Sequence, residues 1–165
     1  MAEFLKDEIT LKRIAMAHPK VRHELFEIYD EINQQLTGRA KVRFTSTFRS
    51  FHDQAEIYAQ GRTKPGSIVS NAGPGLSVHN YGLAVDIVLM VNGKMVWDAK
   101  SDFDGDGKSD WLEIVTIFKQ YGWEWGGDWK FLDLPHFQKT FGLSVRQMLS
   151  LSKSGRVDSE GFILI

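Results

Sequence analysis

The sequence predicts an α+β domain in which a small, mostly antiparallel sheet is flanked by helices. Three observations carry this. Helical periodicity dominates the first forty residues, two β-type runs flank a long loop, and an Asn-Gly turn joins the second run to a short return strand. Strands and helices do not alternate regularly, which argues against a parallel α/β fold.

Taken in order, residues 4–17 read as a short helix. After Pro19, the residues Val21, Leu25, Ile28, Ile32 and Leu36 recur every three or four positions, forming one face of an amphipathic helix. Gly38 is placed to cap it. Residues 41–47 alternate and are rich in β-branched side chains, so a strand is predicted. The stretch SFHDQAEIYAQGR is a helix ending near Gly61. Residues 62–80 are rich in Gly, Ser, Asn and Pro and form a long ordered loop, a feature that in small domains usually serves function. Residues 83–91 are a strand, Asn92-Gly93 a hairpin turn, and KMVW the return strand. DFDGDGKSDWLE is a loop entering a helix from about 110 to 121. WEWGGDW is a glycine-kinked aromatic segment, and LPHFQ becomes extended past Pro135. SVRQMLSL is a helix and RVDSEGFILI a closing hairpin. The expected organisation is one domain over 1–165, with helices in 1–40, a core in 41–140, and a helix and hairpin in 141–165.

Composition excludes several classes. The net charge of -1 offers no basic surplus for nucleic acid or an anionic membrane. The chain has no cysteine, so thiolate sites and disulfides are excluded, and any metal must rest on His and carboxylate. No stretch approaches the roughly 20 apolar residues of a membrane span. The first twenty residues mix charges throughout and lack the apolar core of a signal peptide, so synthesis in a cytoplasm is expected. A monomer is expected.

Two of the five histidines stand in chemical company. His79 follows the glycine-rich loop, and Asp86 sits in the middle of the apolar strand after it, with Gly82 between them to allow a sharp turn or close approach. His136 lies three residues after Asp133. A buried carboxylate needs a cation or donors. One reading gives Asp86 an arginine or backbone network; the other gives it a metal. Two imidazoles, one carboxylate and an open position make a catalytic zinc shell, with Asp133 available as general base. A Ser77–His79–Asp86 triad fits less well, because no nucleophile elbow surrounds Ser77. Pro135 excludes a helical Asp133–His136 pair, and in a straight strand the two would point apart, so a bend at Leu134-Pro135 is predicted. His18, His23 and His52 read as surface or satisfied core residues.

SVHNYGLAVD resembles the S-x-H-x-x-G-x-A-x-D motif of the M15 zinc peptidases, and DLPH resembles their second motif. STFRSFHDQ and GWEWGGDW are similar to further segments of that family, the latter to its phage-endolysin branch, and the pieces fall in the family's order from about 40 to 140. The resemblance implies a Hedgehog/DD-peptidase-like fold with zinc on His79, Asp86 and His136. It implies that Asp133 takes a proton from the activated water and passes it to the leaving amine, and that Arg49 polarises the scissile carbonyl. Ser77 and Gln54 become substrate-side or supporting groups. Many members carry Glu where this chain has Asp133; the endolysin-like branch carries Asp. The implied activity is hydrolysis of the L-alanyl-D-glutamate bond in peptidoglycan stem peptides, in the periplasm after release from the cytoplasm. The alternatives are a D-alanyl-D-alanine dipeptidase or carboxypeptidase, or a non-catalytic wall-binding module. Trp125 and Trp129 flank the Gly126-Gly127 kink and are expected to line a substrate groove; of the four tryptophans Trp111, Trp123, Trp125 and Trp129, two are expected in the core.

The acidic loop carries a second metal pattern. Asp102, Asp104, Asp106, Asp110 and Glu113 fall at positions 1, 3, 5, 9 and 12 of an EF-hand calcium loop, Gly107 at position 6, and Lys108 at position 7 would offer its carbonyl. The preceding segment is not a helix, so a single calcium loop entering one helix is predicted; a solvated acidic turn is the alternative.

Overall fold

The computed structural model describes residues 6–165. It shows the predicted class: five α-helices around one antiparallel sheet of five strands. The helices are α1 (Glu8–Met16), α2 (Pro19–Gln35), α3 (Phe51–Ala59), α4 (Asp110–Gln120) and α5 (Val145–Lys153). The strands are β1 (Ala40–Ser46), β2 (Ala84–Val91), β3 (Lys94–Val96), β4 (Glu124–Trp125) and β5 (His136–Gln138).

Local chemistry sets the helix starts. Asp7 accepts from Thr10 N and caps α1, so this helix begins at Glu8, later than periodicity alone predicts; residues 4 and 5 lie outside the described residues. His18 caps α2, with Pro19 preset for the first turn. Serines cap α3, α4 and α5. Gly38 is not the cap expected of it: α2 ends at Gln35, with Leu36 as its C-cap. A Cβ on Gly38 would lie 2.6 Å from the Phe103 carbonyl oxygen, so this glycine lets the acidic loop rest on the chain after α2.

β2 is the central strand, buried on both faces except at Asp86 and Met90. That is why it reads as a continuous apolar run rather than an alternating one. It pairs with β1 along one edge, and with β5 and β3 at opposite ends of the other. The Asn92-Gly93 turn forms as predicted, with both residues at positive φ (51° and 77°), which matches the strand twist. The core joins Leu25, Ile28 and Ile32 of α2 to Phe44, Ile87 and Leu89 of the sheet, then to Trp111 and Phe118 of α4. Phe118 stacks on Phe137 with ring centroids 4.1 Å apart. Trp111 and Trp123 are the two buried tryptophans. At the C-terminus Val157 bridges Ile163, and buried His18 contacts the Ile163 carbonyl through Nε2 at 2.8 Å, a satisfied core histidine as expected. Among the described residues no helix is long and apolar enough to cross a membrane.

Candidate metal centre and groove

Asp86 and His136 are direct partners in the β2–β5 register, so their side chains leave the sheet on one face. β1 bulges opposite them, its pairing slipping between Phe44 and Ser46, and Thr45 Oγ1 donates to the Asp86 carbonyl at 3.2 Å. His79 arrives from a one-turn 3₁₀ helix, Val78–Tyr81. Ser77 and Asn80 form a capping box on that turn, and Asn80 Nδ2 also donates to the Arg49 carbonyl at 2.9 Å. Gly82 ends it at φ 69°, and a Cβ there would lie 2.5 Å from His18 N. The glycine expected between His79 and Asp86 is therefore required twice, by dihedral and by space.

His79 Nε2 stands 3.2 Å, and His136 Nδ1 3.1 Å, from the same atom, Asp86 Oδ1. The far ring nitrogens are committed elsewhere. His79 Nδ1 lies 2.7 Å from the Thr47 carbonyl, and His136 Nε2 lies 3.0 Å from Gln138 Oε1. Gln138 Nε2 donates to Glu124 Oε2 at 3.3 Å, which fixes the amide with its oxygen toward the imidazole. A carbonyl and an amide oxygen only accept, so the two far nitrogens carry the hydrogens. Each near nitrogen of a neutral ring is then a bare lone pair, aimed at a carboxylate. Three acceptors facing one another within 4.8 Å require either two imidazolium protons or one divalent ion. Both rings are buried, at 3% and 8% exposure, so lone pairs left facing one another there need a partner. Two nitrogens and one oxygen with an open side fit zinc, and the outer acceptors are the kind that orient metal-ligating histidines.

Asp86 is less enclosed than a mid-strand position suggests: 26% of its side chain opens to the groove in front of the centre. Its carboxylate faces two imidazoles rather than an arginine. Burial opposes its ionisation, but the hydrogen bonds and charge of His136 and His79 outweigh burial and hold the carboxyl well below the usual range.

The bend predicted at Leu134-Pro135 is present. His136 N donates to the Asp133 carbonyl at 3.2 Å, closing a turn that lets Asp133 and His136 line the same groove. Asp133 N donates to the Gly126 carbonyl at 2.9 Å, and a Cβ on Gly126 would lie 2.3 Å from the Asp133 carbonyl oxygen. Burial pushes the Asp133 carboxyl up; the His136 charge pulls it down, and the Asp86 charge pushes it up further. Trp125 is not in the groove as expected. Its ring packs on the core and its indole N–H donates to the Leu134 carbonyl at 2.8 Å, bracing the turn from behind. Trp129 does line the groove, tilted against His136 at 5.3 Å.

Arg49 lines the groove as well, held by Gln54 Oε1 at 3.0 Å and Ser46 Oγ at 3.4 Å. Gln54 is fully buried and also donates to the Ala72 carbonyl at 2.7 Å, so it supports Arg49 and the loop wall without reaching the groove. Ser77 caps the His79 turn and lines the groove. Sequence reasoning missed Thr47, Asn80, Gln138 and, at the far end, Arg146 at the start of α5. The groove holds about 1300 Å³, is open to solvent, and is walled by 69–72, by Phe131 and Leu132, and by 143–146. None of residues 102–113 lines it. Their carboxylates converge elsewhere in two overlapping groups, Asp102–Asp104–Asp110 and Asp104–Asp106–Glu113. Lys108 lies two residues after Asp106, to whose Oδ1 its amide donates at 2.8 Å.

Residues 70–139 match the model of a peptidase M15 family described as D-alanyl-D-alanine carboxypeptidase. A curated relative, the peptidoglycan L-alanyl-D-glutamate endopeptidase CwlK of Bacillus subtilis, is 54% identical over 99 residues, 59% of this chain and 59% of that protein. The chain thus matches less than two thirds of the relative's length. The crystal structure of the Serratia marcescens L-Ala D-Glu endopeptidase ChiX superposes with a TM-score of 0.53 at 23% identity, covering 81% of this chain and 87% of that one, which shows a shared fold.

Proposed function

We propose that this chain, whose residues 70–139 match a peptidase M15 family model, is a zinc-dependent peptidoglycan peptidase that hydrolyses the L-alanyl-D-glutamate bond of the stem peptide. One observation carries the reading: His79, His136 and Asp86 turn three acceptor atoms on one point while Thr47 and Gln138 hold the outer ring nitrogens. The proposed cofactors are zinc at that centre and a calcium ion at the acidic loop, for which separate observations speak. Zinc, when bound, supplies Lewis acidity that activates water and polarises a carbonyl.

The chain's own groups do the rest. Asp133, raised by burial, takes the proton of the attacking water on its carboxylate and returns it to the leaving amine nitrogen. The Arg49 guanidinium, held by Gln54 and Ser46, presents its remaining N–H groups to the oxygen on which negative charge develops. Trp129 and His79 bound the space beside the reacting bond.

Choice of bond is supported by groove shape and by the relative. A dipeptidase reading both termini needs a closed pocket, whereas this groove is open to solvent. CwlK, as its name states, is an L-alanyl-D-glutamate endopeptidase. The family model's description favours the second reading, a D-alanyl-D-alanine carboxypeptidase. Mass spectrometry of digested peptidoglycan separates them: new N-terminal D-glutamate supports the first, and released D-alanine alone overturns it. Asp133→Ala should bind zinc normally and lose about 10²–10⁴-fold in rate; equal cleavage would remove Asp133 as the base.

A further inference from the structure

We propose that residues 102–113 form a calcium site and that the bound ion braces the turn carrying Asp133 and His136. Five carboxylates meet in this loop, with Lys108 its sole basic residue. Such a cluster alone could be a solvated turn. Two buried oxygens say otherwise. Asp110 is fully buried and Glu113 is 6% exposed, and the buried side-chain atoms left without any hydrogen-bond partner among the described residues are Asp110 Oδ2 and Glu113 Oε2. Each other oxygen of this pair is satisfied: Asp110 Oδ1 accepts from Phe103 N at 2.7 Å, and Glu113 Oε1 from Gln35 Nε2 at 2.7 Å. A buried unpaired carboxylate oxygen costs about 1–3 kcal/mol or more, yet both lie where the loop's other acids converge.

The ligand chemistry selects the ion. All donors are oxygen, most of them carboxylate, so the site suits a hard cation and not zinc. The spacing 1, 3, 5, 9, 12 with glycine at 6 suits the larger, less rigid shell of calcium over magnesium. Gly107 adopts φ 87°, the sharp turn that position needs. The loop is already seated: Thr37 N donates to Asp104 Oδ2 at 3.2 Å, beside the close approach at Gly38.

The link to the groove is one residue long. Trp111 follows Asp110, is buried at 1% exposure, and donates its indole N–H to the Leu134 carbonyl at 3.3 Å. Leu134 stands between Asp133 and His136. Fixing the first turn of α4 through Asp110 and Glu113 therefore fixes the back wall of the turn. This inference does not depend on the peptidase reading, since neither of its tests needs a substrate.

The experiment uses the full chain, loaded with zinc and freed of calcium. Calorimetric titration with calcium should give one ion per chain with a Kd below about 1 mM, undisturbed by equimolar magnesium. Glu113→Gln keeps the acceptor for Gln35 and should weaken binding at least tenfold; Asp106→Asn, at an exposed position, keeps the acceptor for Lys108 N and should weaken binding without affecting the fold. No heat and no rise in melting temperature at 10-fold higher calcium, or equal binding by the variants, overturns the site. Hydrogen exchange at the Asp133 and His136 amides should slow with calcium in the wild type and not in Glu113→Gln. Slowing confined to 102–113 overturns the bracing.

Discussion

Replacing Gln138 by leucine tests whether the outer acceptor of His136 sets zinc affinity. The two side chains are of similar volume, and Gln138 lies on the short edge-proximal strand β5, so the backbone is expected to be kept. What is lost is one hydrogen bond at 3.0 Å to His136 Nε2 and one at 3.3 Å to Glu124. The second is exposed and worth little. The first leaves an N–H without an acceptor on a ring only 8% exposed, at a cost of about 1–3 kcal/mol. In its alternative tautomer the ring avoids that cost only by protonating Nδ1, the ligand atom. Either way the loss falls on the metal-competent form. Since 1.4 kcal/mol is about tenfold, zinc affinity should drop roughly 10–100-fold, the range typical for such outer partners. Competition against a chromogenic chelator measures it directly, with Glu124→Ala as a control that should cost less. A Gln138→Leu protein that binds zinc as tightly as wild type, at unchanged melting temperature, would refute the tautomer argument and with it the fit to zinc.

Gly126→Ala should slow peptide cleavage by about 100-fold, the penalty for a misplacement near 1 Å, because its Cβ would meet the Asp133 carbonyl oxygen at 2.3 Å; wild-type turnover would show that the turn yields freely. Stripping zinc with phenanthroline should lower the melting temperature by several degrees, as three facing acceptors lose their cation, and His79→Ala should no longer respond. Asp7 accepts from Arg43 at 2.7 and 3.1 Å and from Thr10. Burial alone would raise its carboxyl, but these partners hold it below the usual range. A folded pKa below the unfolded one gives stability that is present above the unfolded value and lost as pH falls through the folded one. Asp7→Asn should therefore melt lower than wild type at pH 7, and the gap should close in the acid range below pH 4; a gap independent of pH would count against the ion pair.

Regular elements were legible because their signals are local. The spacing of Val21 to Leu36, the Asn-Gly turn and the prolines each act over a few residues, and each lands within one or two residues of its element. The centre was legible for another reason: an acid inside an apolar strand contradicts its surroundings, and that contradiction has few solutions. The bend before His136 followed from proline, which bars a helix, together with the need for Asp133 and His136 to face one site. What escaped were partners defined by fold closure. Thr47 contributes a main-chain carbonyl across 32 residues, which no side-chain pattern encodes. Gln138 could have been found, since two residues along a strand return to the same face. Trp125 was misplaced because a kink says that the chain turns, and not to which side.

Three glycines singled out in the sequence share one physical role. Gly38, Gly82 and Gly126 each sit where a Cβ would come within 2.3–2.6 Å of another segment's backbone. Each contact seats a piece of the candidate centre or of the acidic loop: the loop on the end of α2, the His79 turn on the start of α2, and the Asp133 turn on the aromatic segment. Side-chain packing alone leaves such pieces free to shift by a rotamer, whereas backbone pressed on backbone has no rotamer to change. The ligand atoms come from loops and turns as well as from β2 and β5, and a metal tolerates errors of only a few tenths of an ångström. Close backbone approach supplies that precision where secondary structure does not reach, which is why Gly38 serves the seat of the acidic loop instead of the helix end that periodicity first assigns to it.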